Sequence, residues 1–110
     1  MVSVNRHPAG VYCGEYSLGL VKGRITAGQT PDTFDIWLDA FGEKYNCKDE
    51  KYIYNERTNH MDVVGATDPN DCLGKLLVQN GLPLTVVYFP REDTLELDLG
   101  IAKVDLSQCA

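Results

Sequence analysis

Residues 84–106, LTVVYFPREDTLELDLGIAKVDL, carry the pattern that decides the fold class. LTVVYF is a dense run of β-formers, and Pro90-Arg91-Glu92-Asp93 supplies a turn after it. Leu95, Leu97 and Leu99 then alternate with Glu96 and Asp98, the period-two signature of a half-buried strand. Past Gly100 the parity flips, so that Ala102, Val104 and Leu106 alternate with Lys103 and Asp105. A flip at a glycine predicts a β-bulge or sharp bend within one long strand. Leu99-Gly100 is poor turn chemistry, which disfavours a tight hairpin there.

The same period runs through the rest of the chain. Phe34, Ile36, Leu38 and Ala40 alternate with Asp35, Trp37 and Asp39. In VYCGEYSLGL, Tyr12, Tyr16, Leu18 and Leu20 share one face, while Cys13, Glu15 and Ser17 share the other. Lys22 and Gly23 offer a turn into a short second strand over 24–28. The region around Tyr52 and Tyr54 has high β propensity; 44–47 and 50–55 read either as one bent strand or as two. Met61 and Val63 can face inward with Asp62 toward water.

One segment breaks the period. TDPNDCLGKLLVQNG predicts a helix over 69–80, with Asp68 as N-cap, Pro69 at the first position and Asp71 in the first turn. Cys72, Leu73, Leu76 and Leu77 fall on its buried face, and Gly81 closes it. Gly74 costs such a helix about 1 kcal/mol against alanine, so tertiary packing must hold it.

Together these elements predict a mainly β domain. It is an antiparallel meander forming a small barrel or sandwich, with one short α-helix near 69–80. Residues 1–9 read as a flexible N-terminal tail and 10–110 as a single β-rich domain. An even strand count would set the last strand beside the first and bring Cys13 toward Cys109.

Composition narrows the function classes. Ten Lys and Arg against sixteen Asp and Glu leave a net charge of −6, so an acidic, soluble domain is expected, with no nucleic-acid partner. No stretch is long and apolar enough to span a membrane. The first residues lack the apolar centre of a secretory signal, which favours a cytoplasmic protein; secretion would require a leader before Met1. Cys13, Cys47, Cys72 and Cys109 contain no CxxC pair, so a structural zinc is not expected. The cytoplasmic reading favours free thiols.

The opening GVYCGEY resembles the Gly-x-aromatic start of calycin-type barrels, the group of lipocalins and fatty-acid-binding proteins. DCLGKLL and LELDLG are similar to segments of small uncharacterised trypanosomatid proteins, a likeness that implies no function. The calycin resemblance implies an up-and-down barrel and an apolar ligand. Tyr12 stands where lipocalins usually place Trp.

No catalytic constellation, metal site or cofactor is expected. His7 lies in the tail and His60 beside a polar turn. Asp68, Asn70 and Asp71 lack the spacing of a calcium loop and read as helix capping. Asp35 and Asp39 lie on the polar face of a strand. Cys72, at a helix start where a thiol can become reactive, is better read as a small core residue. The expected function is therefore non-enzymatic binding through a protein partner or self-association, with Trp37, Phe41 and Val64 as candidate contact residues. The alternative is an intracellular carrier of a small apolar ligand, with Tyr12, Tyr16, Phe34, Leu38, Tyr88 and Leu97 lining the cavity. Competition among these side chains for the interior favours a filled core.

Overall fold

The computed structural model describes residues 8–28, 32–40 and 42–109. Eight antiparallel strands form a closed barrel in simple sequential order. They are β1 (Gly10–Tyr16), β2 (Val21–Ala27), β3 (Thr33–Ala40), β4 (Glu43–Asn55), β5 (His60–Val63), β6 (Thr85–Phe89), β7 (Thr94–Asp98) and β8 (Lys103–Gln108). The single helix among the described residues, α1 (Cys72–Gln79), lies between β5 and β6 in sequence and packs on β4.

Alternation places the core as the apolar pattern requires. Tyr12, Val21, Ile25, Phe34, Leu38, Val86, Tyr88, Leu95, Leu97, Val104 and Leu106 are all buried inside. Small residues let strands approach: Leu106 of β8 reaches Gly14 and Gly23, whose missing Cβ atoms leave room for it. The seam between β1 and β8 is short, with Tyr12 opposite Gln108 and Cys13 opposite Ser107. The Cys13–Cys109 disulfide locks it; the even strand count anticipated the approach of the two cysteines, not the bond.

A second clasp sits at the same end. The hydroxyls of Tyr12 and Tyr88 both donate to Asp93 Oδ1 at 2.8 Å. Gln108 Nε2 donates to Asp93 Oδ2 at 3.0 Å and to the Ala9 carbonyl at 2.9 Å. Burial first, and the Asp93 carboxylate second, push the Tyr12 hydroxyl above its ordinary pKa. One carboxylate thus satisfies two inward tyrosines whose rings fill the core and whose hydroxyls need a partner.

Several expectations are corrected. The flip at Gly100 is a hairpin, since Thr94–Asp98 pairs with Lys103–Gln108 from Asp98 opposite Lys103 outward. Gly100 takes φ +82°, its N–H donates to Asp98 Oδ1 at 2.8 Å, and Leu99 N–H donates to the Ala102 carbonyl. The aspartate before the glycine supplies the turn chemistry that Leu99-Gly100 lacks.

At the other end of the chain, β1 stops at Tyr16 and the turn comes at 17–20. Ser17 and Leu18 both adopt φ +55°, which ends the alternation. Tyr16, Leu18 and Leu20 are therefore exposed, Leu18 completely. Residues 43–55 form one strand whose register against β3 shifts between Phe34 and Ile36.

The helix starts three residues later than its signals suggest. Asp71 is the N-cap, accepting from the Leu73 and Gly74 amides, while Asp68 closes a turn by accepting from Asn70 at 2.9 Å. Asp71, expected inside the first turn, takes the cap, and Asp68 serves the preceding turn instead. Leu73, Leu76 and Leu77 are buried, but Cys72 is exposed and bonded to Cys47. The expectation of free thiols is thus overturned: no described cysteine is free.

Candidate functional site

The outward face of β1–β4 gathers the charged and aromatic residues that the core does not use. Register aligns them in two lateral rows. In the first, Glu15 lies opposite Lys22, Lys22 opposite Asp39, and Asp39 opposite Lys44. The signs alternate across four strands, so Lys22 and Asp39 each have opposite-sign neighbours on both sides. In the second, Cys13 faces Arg24, Arg24 faces Trp37, and Trp37 faces Asn46.

The Arg24 guanidinium lies 5.9 Å from the Trp37 ring centroid, within cation–π range. Arg24 and Trp37 also form walls of two open clefts on this face, of about 380 and 210 Å³. Trp37 is half-buried, and α1 packs on β4 rather than over it.

The first row is self-complementary along its length, and the second at its central Arg24–Trp37 pair. A two-fold axis lying in the face, parallel to the strands and between β2 and β3, reverses the order of each row. A second copy then sets Lys22 against Asp39 and Arg24 against Trp37, each contact occurring twice.

The other candidate contact residues fall elsewhere. Val64 is exposed and its amide donates to the Lys51 carbonyl, beside exposed Ile53 and a shallow cleft of about 300 Å³. Phe41 lies outside the described residues. Of the six candidate ligand-lining residues, Tyr12, Phe34, Leu38, Tyr88 and Leu97 are packed together in the core, and Tyr16 is on the surface.

A buried carboxylate escaped sequence reasoning. Glu50 sits at an inward position of β4 and is only 3 % exposed. Its Oε2 accepts from Leu73 N–H at 3.3 Å, while Oε1 has no hydrogen-bond partner. The N-cap Asp71 shares the same Leu73 amide at 3.1 Å, so two carboxyl groups meet at the start of α1. Burial first, and the Asp71 carboxyl second, raise the Glu50 pKa from 4.5 to about 7. Two carboxylates cannot bond each other without a proton; a proton on Glu50 gives it one to donate. The signal that could have found it is parity, because Glu50 shares the inward set of Tyr52 and Tyr54.

This site makes stability fall as pH rises. Between pH 4.5 and about 7 the unfolded chain releases the Glu50 proton while the folded one keeps it. The folded state therefore loses stability across that window, by roughly 3 kcal/mol. Glu50→Gln, whose amide can donate to Asp71 at every pH, should flatten the profile and exceed the wild type in stability at pH 8. Urea midpoints of both proteins from pH 4 to 8 check this; parallel profiles would contradict it.

No family model, curated protein or solved structure matches this chain.

Proposed function

We propose that this domain is a non-enzymatic binding module that self-associates as a two-fold dimer through the outward face of β2 and β3. The observation that carries the reading is the self-complementarity of the first row and of the Arg24–Trp37 pair. Charge alternation gives register and specificity, and an aromatic residue with an arginine at the centre is the composition of interface anchors. The Gly-x-aromatic start on β1, within an eight-stranded meander, supports a calycin-like reading of the fold. The packed interior favours contact through the surface over carriage of an apolar ligand. Two disulfides in a domain of this size favour an oxidising compartment over the cytoplasm.

Light-scattering molar mass of three proteins tests the reading. The wild type should be a dimer at high concentration. Asp39→Lys opposes two lysines across the axis twice over and should yield a monomer. The swap Lys22→Asp with Asp39→Lys restores opposite charges and should recover the dimer. A wild-type monomer at the highest attainable concentration, or an Asp39→Lys protein that stays dimeric, overturns the proposal.

A further inference from the structure

Cys47, Glu50 and Cys72 come from β4 and the first turn of α1, and their ligand atoms all lie within 4.8 Å of one another. We propose that a dithiol reductant converts this corner of the barrel into a zinc site held by the two sulfurs and the Glu50 carboxylate.

The chemistry balances as follows. The dithiol gives two electrons to the Cys47–Cys72 bond and leaves as a disulfide, and its two protons pass to the two cysteine sulfurs. Zinc then displaces those thiol protons, and any proton on Glu50, and binds two thiolates and a carboxylate. Tetrahedral bonds of about 2.3 Å to each sulfur need the sulfurs about 3.8 Å apart, a separation that side-chain rotation from a bonded pair supplies. A fourth position is left for water, as in open zinc sites.

Three observations point to a cation here. Glu50 Oε1 is buried with no hydrogen-bond donor aimed at it, so an ionised Glu50 is left uncompensated in the oxidised protein. Asp71 adds a second carboxyl beside it, sharing the Leu73 amide, so a cation here would meet two acidic groups. Cys72 is exposed, so reductant and metal can reach the site from solvent, and its place at a helix start favours the thiolate that zinc requires. The four cysteines show no ligand spacing in sequence because β4 and α1 bring this pair together only in the fold.

Cobalt(II) titration of the dithiol-reduced protein, freed of reductant, reads the site through thiolate charge-transfer absorption and the intense visible bands of tetrahedral cobalt. Zinc competition then gives its affinity. One equivalent should bind. Cys72→Ser should abolish the thiolate signal, and Glu50→Gln, which keeps shape and fold, should weaken zinc about tenfold or more. Cys13→Ser should leave binding unchanged. Reduced protein that binds no metal, or stays unfolded with zinc present, overturns the proposal. So does equal affinity in Glu50→Gln and the wild type.

Discussion

Replacing Cys13 and Cys109 together by serine should lower the unfolding free energy by about 4.7 kcal/mol, the largest loss expected of any change outside the core. The bond closes 96 residues, nearly the whole chain, so its removal frees the unfolded state more than a short loop would. Its place in the barrel adds to this. β1 and β8 pair at only two positions, supported by Cys109 N–H donating to the Val11 carbonyl at 3.0 Å. The remaining clasp is the hydrogen-bond set on Asp93, which ties Tyr12 to Tyr88 and Gln108.

Thermal unfolding should show Tm lower by roughly 20 °C. Amide exchange in β1 and β8 should accelerate ahead of β3 and β4, because the seam opens first. A loss below about 1 kcal/mol would mean that the seam is held without the bond. The 25-residue Cys47–Cys72 loop should yield less on removal, about 3.5 kcal/mol by the same chain-entropy reasoning.

Gly74→Ala carries the second large effect, and its sign is the reverse of what helix propensity gives. In an exposed helix the change would stabilise by about 1 kcal/mol. Here a Cβ at position 74 would meet the carbonyl oxygens of Gly65 and Asp68, both backbone atoms of the turn beneath α1. Neither can swing aside as a side-chain tip would. The helix must lift, and its lift disturbs Leu73, Leu76 and Leu77 in the core and the Asp71 cap on two amides. A loss of about 3 kcal/mol follows from overpacking combined with a weakened cap. Lys75→Ala, one residue on and exposed, should change stability by less than about 0.5 kcal/mol. Equal denaturation midpoints for Gly74→Ala and Lys75→Ala would contradict the close approach.

The same glycine shows how far the sequence could be read. That Gly74 needed tertiary support was legible from propensity; the carbonyls that demand it come from a turn whose path no local pattern specifies. Strand alternation was legible wherever the backbone stayed extended, as in Phe34, Ile36 and Leu38. It misled at 17–20, because Ser17 and Leu18 take the left-handed region ahead of Gly19, and the apparent alternation of Tyr16, Leu18 and Leu20 masked that glycine as a turn signal. It misled again after Leu99, where the Asp98 side chain joins Gly100 in making the turn.

The candidate face was half legible. Trp37 and Asp39 stood out by parity, but their partners Lys22 and Arg24 depend on a register set by the turn at 17–20. With that turn misplaced, Lys22 and Gly23 read as loop, and the alternation of charge across strands was hidden. Cys47, Glu50 and Cys72 were hidden for a different reason: their meeting is a contact between a strand and a helix far apart in the chain.

Trp37 is the chain's one tryptophan, so its fluorescence reports the proposed dimer face without a label. Acrylamide quenching measured over a dilution series tests the dimer most directly. Self-association through β2 and β3 predicts that Trp37 is shielded at high concentration and becomes progressively more quenchable, with red-shifted emission, as the dimer dissociates. Quenching that stays constant while the molar mass falls from dimer to monomer would place the interface elsewhere and contradict the account.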